Sequence, residues 1–384
     1  MKHLSRILST FAPHIGLIFV WVLFAILAGE RFYRPENQWI MLMQTVVVGT
    51  AALGATLIII SGGIDLSVGS SIALGTMITA YTLNLTGSPL LALCVGVAGG
   101  ALVGYVIGLL VIGHVGRVAA VIVGLVVVYL IQPFPLPPLN QWDWKLGLNL
   151  GMALSAGAVV SALGIVLNEK LIKRVELSPF IVTLGMWGAL RGAAKGIGGN
   201  QSIYMDSTLE RTWLNELLQK GDWGPFRILP PGVWIMLILA VLIAAMLRYT
   251  RFGRHIFAIG SNQETARLCG VRVERTKLMI YALAIGCAGL AAVMQFSHLG
   301  GMGDPTTAEG LELAVIAAVV IGGASLTGGE GSIAGTLVGA LIMTAVANGC
   351  TKLGMDNWVQ QVVTGAIIVA AVTLDRLRRR TATD

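Results

Sequence analysis

Residues 248–277 read RYTRFGRHIFAIGSNQETARLCGVRVERTK and lie between two long apolar runs. This basic segment carries seven Lys or Arg residues and two Glu, in a chain of which only 12% is charged. Short loops rich in Lys and Arg remain on the cytoplasmic side of membrane proteins. We interpret the basic segment as a cytoplasmic docking surface for a partner, and the rest of the chain as a membrane body that the partner drives.

The composition around the basic segment is that of a polytopic membrane protein. Of 384 residues, 55% are hydrophobic, and the mean hydropathy is +0.81. Several runs exceed the ~18 apolar residues that indicate a membrane-spanning helix, which predicts an all-α transmembrane bundle. The 49 glycines are typical of helices that pack closely in lipid. The net charge of +7 reflects a few short loops, so we expect it to set orientation in the bilayer and predict no nucleic-acid partner.

The apolar runs predict twelve crossings, with both termini in the cytoplasm. The N-terminus, the loop 168–176, the basic segment and the C-terminal tail then hold 16 of the 26 Lys and Arg residues on one side. The crossing at 308–323 is a short one, because sixteen residues at ~1.5 Å each span only ~24 Å of a ~30 Å core. The predicted spans are 11–29, 39–60, 71–85, 90–112, 118–131, 146–167, 179–194, 233–247, 278–296, 308–323, 333–347 and 358–374.

Within the basic segment, residues 262–270 have the signals of a short helix. Asn262 or Ser261 can act as the N-cap, Glu264 lies in the first turn, Arg267 lies near the end and Gly270 can terminate the helix. Such a helix between two spans suits a groove on a partner protein. From spacing alone, an ordinary basic loop at the lipid surface is an equal alternative.

Two glycine-rich breaks interrupt the apolar pattern, at 61–70 (SGGIDLSVGS) and 324–332 (ASLTGGEGS). Asp65 or Ser67 can cap the helix that follows the first break. An ionisable residue at such a break is a functional-site hypothesis by default, although Asp65 can equally have a structural role, and Glu330 has the same ambiguity. The likeness of SGGIDLS to IGGASLT hints at an internal repeat.

Other patterns leave simple alternatives open. Glycines at every fourth position, Gly96 to Gly108, predict close helix packing, either within the chain or between subunits. Three acids before the short crossing can favour a helix N-terminus or receive arginines of a binding protein. These acids are Asp304, Glu309 and Glu312.

The sequence predicts no covalent chemistry. It contains no H-E-x-x-H zinc motif, no G-x-S-x-G and no P-loop, and its four cysteines lack C-x-x-C spacing. We therefore predict no catalytic residues, metal ligands or cofactor. Since the chain lacks a P-loop, any ATP-derived energy has to come from another polypeptide.

Several stretches, in order, resemble membrane subunits of ABC-type sugar importers, in the ribose/xylose/arabinose/galactose permease group. The resemblance covers most of the chain. The stretches are ISGGIDLSVGSSIALG (60–75), SPFIVTLGMWGALRG (178–192), FGR, AIGSN and ETARLCGVRVERTK followed by YALAIGCAGLAA (within 251–292), ELAVIAAVVIGGASLTGGEGSIAGTLVGALIM (312–343) and WVQQVVTGAIIVAAVTLDRLRRR (358–380).

This resemblance implies a type II ABC importer-like permease fold, in one domain covering 1–384 and with about 10–12 spans. It implies a homodimer around a central pathway in a bacterial inner membrane, a cytoplasmic ABC ATPase subunit and a periplasmic sugar-binding protein. The ATPase-coupling residues would be Ser261, Asn262, Glu264, Ala266, Arg267 and Gly270. Members usually have about ten spans, so 90–145 is interpreted as an extra helical insert, and 196–231 as a periplasmic loop.

The predicted function is thus the permease subunit of an ATP-driven pentose or hexose importer. Candidate pathway residues are Ser61, Asp65, Ser67, Ser325 and Thr327. One alternative is a secondary transporter driven by an ion gradient, which usually needs paired acids or a cation site in the membrane. Another is a permease of the same family for a nucleoside or another polyol. An intramembrane enzyme is disfavoured by the absence of a nucleophile–base pair or metal pair.

Overall fold

The computed structural model describes residues 2–131, 144–171, 177–206, 209, 212–219 and 229–383. This part of the chain is almost wholly helical, with one pair of two-residue strands, so the predicted all-α class is confirmed. The elements are α1 (Lys2–Leu27), α2 (Glu30–Tyr33), α3 (Pro35–Ile60), α4 (Val68–Thr86), α5 (Pro89–Val111), α6 (Val115–Ile131), α7 (Trp144–Leu171), α8 (Pro179–Ile197), β1 (Ile203–Tyr204), α9 (Pro231–Tyr249), α10 (Arg251–Ser261), α11 (Gln263–Leu268), α12 (Val273–His298), β2 (Met302–Gly303), α13 (Leu311–Ile321), α14 (Ile333–Lys352) and α15 (Asn357–Thr383).

The core lies around α12, which packs along α3, α4 and α5. Helices that are apolar on all sides are buried in a bundle, and α3 is buried continuously from Val46 to Ile60. Six of the described helices are long and apolar enough to cross a membrane. Three of them, α5, α7 and α9, also expose apolar side chains such as Leu102, Leu163 and Val241, as expected of surfaces that meet lipid.

Glycines allow the backbones of the core helices to approach closely. A β-carbon at Gly54 would overlap the backbone of Ala284 in α12, and one at Gly104 would overlap the carbonyl oxygen of Tyr281. Gly100 lies against Gly289 in the same way. The glycine stripe of α5 is therefore used within the chain, as a groove for α12, which decides between the two alternatives left open by the sequence.

Antiparallel α3 and α14 are joined by three layers of buried polar pairs. Interhelical hydrogen bonds of this kind are a recognised means of helix association in lipid, each contributing roughly 0.6 kcal/mol or more. The pairs are Thr56–Thr336 at 2.8 Å, Thr45–Thr344 at 2.7 Å and Asn37–Asn348 at 2.7 Å.

The crossing predicted at 308–323 is made differently from the prediction. Its helix, α13, begins only at Leu311 and has 11 residues, about 16 Å at 1.5 Å per residue. The first part of the crossing is not helical: after α12, residues 302–310 return along α4 as a two-residue strand followed by turns. Gly303 lies against Ala80, and the N–H of Asp304 donates to Thr76 Oγ1 at 3.3 Å. A short helix preceded by turns thus takes the place of the sixteen helical residues predicted.

The helices α6 and α7 form a hairpin that stands apart. They pack closely on each other, with Gly124 and Gly157 in backbone contact and Gly164 against Ala120, whereas α5 is integral to the core. The insert was predicted at 90–145. In the structure, its first helix, α5, packs on α12, and its second helix, α6, pairs with α7. Whether any of it is an insert stays a prediction.

Several predicted features lie wholly or partly outside the described residues. These are the Pro-rich segment at 132–143, the basic loop at 172–176, and residues 207–208, 210–211 and 220–228 of the polar loop. The described parts of that loop meet the α12–α13 connection through the antiparallel pairing of Ile203 with Gly303 and Tyr204 with Met302. We call this the far side of the bundle, and the side that carries 248–277 the basic side.

Candidate functional site

The basic segment folds into two helices where the sequence predicted one. The unforeseen helix, α10, is capped by Thr250, whose Oγ1 accepts from the N–H of Gly253 at 3.1 Å. It is strongly two-faced: Ile256 and Ile259 are buried while Arg251 and Arg254 are exposed. The spacing of these isoleucines and arginines was the signal that could have identified α10.

The predicted helix at 262–270 is present as α11. Asn262 is its N-cap, since its Oδ1 accepts from the N–H of Thr265 at 2.9 Å. The helix ends at Gly270, whose φ of +85° is one that side chains rarely adopt. The N–H of Val271 donates to the carbonyl of Ala266 and that of Gly270 to the carbonyl of Arg267, both at 3.0 Å, which is the hydrogen-bond pattern of a glycine-terminated helix.

One face of α11 is fixed to the protein and another is open. Ala266 is buried with Ile259 and Val273, so the helix is attached to α10 and to the start of α12. Leu268 is 88% exposed and lies four residues after Glu264, on the same side of the helix. The ion pair between Glu264 and Arg267 is long, at 3.4 Å, and exposed, so it contributes little.

A cavity of about 140 Å³ separates α11 from the ends of α5 and α8. It is lined by Val111, Ile112, Leu177, Pro179, Gln263, Arg267, Val273, Glu274 and Lys277. The helix α11 is therefore attached to α10 and to the start of α12, and free space separates it from the ends of α5 and α8.

The end of α10 meets both glycine-rich breaks through backbone alone. We call this contact the glycine junction: Gly62, Gly260, Gly328 and Gly329. A β-carbon at Gly260 would overlap the carbonyl oxygen of Ile60, and one at Gly328 would lie 3.0 Å from the Cα atoms of both Gly260 and Gly62. The N–H of Gly329 donates to the carbonyl of Ile60 at 2.8 Å. The three segments thus touch through their backbone atoms.

Asp65 in the first break is 3% exposed. Its Oδ1 accepts from the backbone N–H of Ser67 at 2.8 Å and from the Ser67 hydroxyl at 2.7 Å, while Oδ2 has no partner in the structure. Ser67 occupies the N-cap position of α4 but makes no capping bond with its side chain. The predicted cap is thus replaced by an Asp–Ser turn immediately before the helix.

The remaining candidate pathway residues also make local bonds. The Ser61 hydroxyl donates to the carbonyl of Ile58 at 2.8 Å, and the hydroxyls of Ser325 and Thr327 are 2.8 Å apart. Ser61 and Ser325 are buried, whereas Thr327 is exposed. Ser61 and Thr327 adjoin the glycine junction, where Gly62 approaches the Thr327 carbonyl. Asp65 and Ser67 follow at the start of α4, where Thr183 of α8 donates to the carbonyl of Ile64 at 3.3 Å.

A second polar group lies deeper in the bundle and was not predicted as a site. Arg191 of α8 donates from one terminal nitrogen to the carbonyls of Pro305 and Thr307, at 3.0 and 2.6 Å. Glu312, in the first turn of α13, is 8% exposed and hydrogen-bonded to the Trp187 side chain. An arginine within a predicted span, 179–194, was the available signal.

The burial of Glu312 bears on the prediction for the three acids. Its carboxylate lies against Gly69 at the start of α4, where the N-termini of α4 and α13 lie close together and favour negative charge. Of the two alternatives left by the sequence, the helix-terminus role fits Glu312, because a side chain this buried cannot receive arginines of another protein.

Comparison with known proteins adds independent findings. A family described as "Branched-chain amino acid transport system / permease component" matches residues 39–134 and 112–372. The chain is 32% identical over 333 residues to the ribose import permease protein RbsC of Escherichia coli K12, covering 85% of this chain and 82% of that one. It is 31% identical over 342 residues to RbsC of Bacillus subtilis, covering 89% and 84%. The fructose import permease protein FrcC of Rhizobium meliloti is 27% identical over 344 residues, covering 89% and 78%. No solved structure gives a significant match.

Proposed function

This chain belongs to the permease family described as "Branched-chain amino acid transport system / permease component", and from that membership we propose that it is the membrane subunit of an ATP-driven sugar importer. The family description names amino acids, whereas the relatives that align over most of both chains are named for ribose and fructose. Full-length similarity is the closer guide to the solute, so the proposed cargo is a pentose or hexose.

The proposal rests on the glycine junction, which lies at the end of α10, immediately before α11. A cytoplasmic ATPase that moves α11 would move α10 with it, and through Gly260 the ends of both breaks. Those breaks lead into α4 and α14, so the displacement would reach the centre of the bundle. Ser261, Asn262, Glu264, Ala266, Arg267 and Gly270 form or support this coupling helix, and Leu268 supplies its exposed apolar contact.

We place a second copy of the chain opposite the open face of α8. A β-carbon added at any of four glycines there, Gly185, Gly188, Gly192 and Gly196, would meet nothing within 4 Å, so this face of α8 is open within one chain. The pathway would lie between the copies. A sugar-binding protein would deliver its cargo at the far side, and the two termini would be cytoplasmic.

Reconstitution tests the proposal. Proteoliposomes that contain this chain, the ATPase subunit and the binding protein should accumulate radiolabelled D-ribose or another sugar only when ATP is present. A Leu268→Cys variant, made with the exposed Cys94 and Cys269 changed to Ser, should react with a membrane-impermeant thiol reagent only from the ATPase side. Uptake by this chain alone, driven by an ion gradient, would replace the proposal with a secondary transporter. ATP-dependent uptake of a nucleoside with no sugar uptake would change the cargo.

A further inference from the structure

An aromatic side chain, Trp187, and a cationic one, Arg191, lie at the edge of the open face of α8. Trp187 and Arg191 are four residues apart, so they lie one above the other on one side of the helix. Trp187 is 37% exposed, and β-carbons placed at the neighbouring Gly188 and Gly192 meet nothing within 4 Å. The opposite face of α8, which includes Val182 and Leu190, is buried.

Both side chains are held in place by the returning chain before α13. Arg191 is tied to two backbone carbonyls, and its second terminal nitrogen has no partner in the structure. The Trp187 side chain lies close to the buried carboxylate of Glu312 and acts on it. Thr307 is in turn fixed by Gln295, whose amide donates to its hydroxyl at 2.8 Å. The aromatic ring and the guanidinium are thus oriented before any solute arrives.

This arrangement is unsuited to lipid. Charged side chains within membrane helices face the bundle interior or a water-filled cavity and pair with groups such as backbone carbonyls, as one terminal nitrogen of Arg191 does. Its other terminal nitrogen is buried and unpaired, and a buried donor without a partner is costly. This unpaired donor beside the partly exposed Trp187 points to a polar solute at the edge of the open face.

The chemistry of the group fits a neutral carbohydrate. A sugar ring has an apolar C–H face, which an exposed indole accommodates, and hydroxyls that accept from a guanidinium. Three acids act on Arg191, namely Asp304, Glu309 and Glu312, so the local charge is negative overall. An anionic solute such as a sugar phosphate would be repelled.

We propose that Trp187 and Arg191, positioned by Glu312, form a contact site for a neutral sugar within the transport pathway. The inference rests on the proposed function, because it identifies where the cargo of that function touches the chain. None of these three residues is among the candidate pathway residues of the sequence, although Glu312 lies against Gly69, close to Ser67.

Protection of a nearby thiol tests occupancy directly, without the ATPase. Gly188→Cys, made with the exposed Cys94 and Cys269 changed to Ser, places a thiol beside Trp187; the other two cysteines are buried. We expect D-ribose or D-xylose at high millimolar concentration to slow its reaction with a charged methanethiosulfonate several-fold, and ribose 5-phosphate to have no effect. Leu268→Cys, at a position that is 88% exposed, should react at the same rate with or without sugar. No protection, equal protection at both positions, or a thiol at 188 that the reagent never reaches would overturn the inference.

Uptake by the assembled complex supplies a second test. Trp187→Ala should lower sugar uptake by about tenfold, equivalent to about 1.4 kcal/mol, and change the ratio of rates between two sugars, while Trp187→Phe should retain most of it. Trp234→Ala, with a similar 38% exposure on α9, is the matched control. A uniform loss for all sugars, accompanied by loss of complex assembly, would make Trp187 structural. Thiol protection is read on the permease alone, so it can succeed or fail independently of ATP-driven transport.

Discussion

The role of Asp65 was ambiguous in the sequence, and the structure gives its two carboxylate oxygens different surroundings. One carboxylate oxygen accepts two hydrogen bonds from Ser67, and the other is buried without a partner. The first oxygen stabilises the turn before α4. The second destabilises the folded state, because burying a polar atom without a hydrogen bond costs free energy. The sequence predicted an acid at the break, but it could not show that one oxygen is hydrogen-bonded and the other is buried without a partner.

From this division we predict different outcomes for two substitutions of Asp65. Asp65→Asn keeps an acceptor for Ser67 and removes a buried charge, so its thermal unfolding midpoint in detergent should stay within a few degrees of wild type. Asp65→Ala leaves the Ser67 N–H unsatisfied, at a cost of roughly 1–3 kcal/mol, and should lower the midpoint. Equal midpoints for the two variants would mean that the hydrogen bonds do not stabilise the break.

Leu268 is the residue whose exposure is hardest to explain in an isolated chain. We predict that Leu268→Glu, and independently Glu264→Arg, weakens binding of the ATPase subunit by at least about tenfold, or 1.4 kcal/mol, because each alters the open face of α11. Both side chains are exposed, so the permease should remain folded and membrane-inserted. Titration of the purified ATPase against permease in nanodiscs measures the effect. Gln201→Glu, exposed at the far side, is the control, and wild-type affinity for both variants would remove α11 from the interface.

At the scale of elements, the basic segment forms two defined helices, α10 and α11, rather than an irregular loop. The N-cap at Asn262 and the stop at Gly270 were readable in the sequence because they are local signals. The contact of Gly260 with Ile60 and Gly329 was not readable, since it joins residues 200 and 69 positions apart along the chain.

The glycine junction gives the prediction that belongs to this scale. Gly260→Ala should uncouple transport from ATP hydrolysis, because its methyl group would overlap the Ile60 carbonyl and force α10 away from both breaks. Uptake should fall by at least about tenfold, while ATP hydrolysis by the assembled complex persists. Gly151→Ala in α7, where a β-carbon meets nothing within 4 Å, is the control. Coupled uptake at the wild-type rate with Gly260→Ala would show that the junction transmits no movement.

At the scale of the whole molecule, one bundle around α12 carries the glycine junction on one side and the Trp187 group deeper inside. The α6–α7 hairpin is attached to this bundle mainly through its connection to α5, and its own contacts are between Gly124, Gly157 and Gly164 and their partners. Its stability should therefore be separable from that of the core.

We predict that Gly157→Leu opens the hairpin without unfolding the bundle. The added side chain cannot fit between the backbones of α6 and α7, so amide hydrogens of both helices should exchange faster, while those of α12 keep their protection. Hydrogen exchange read by mass spectrometry in nanodiscs distinguishes the regions, with Gly151→Ala again as the control. A loss of protection in α12 would mean that the hairpin and the bundle unfold together.

The sequence by itself determined the class of the molecule and the positions of most of its long helices. Apolar runs, charge asymmetry and caps act over a few residues or one bilayer thickness, so they are legible in order along the chain: the spans around α3, α12 and α14 and the helix at 262–270 were all predicted. Tertiary structure alone decided what those elements do to one another. It placed Gly260 on Ile60, packed the α5 glycines on α12, shortened the predicted helix at 308–323 to Leu311–Ile321 after a run of turns, and brought Glu312 to Gly69. These are contacts between distant segments, whose geometry depends on how all the helices pack together in three dimensions, and no local pattern encodes it.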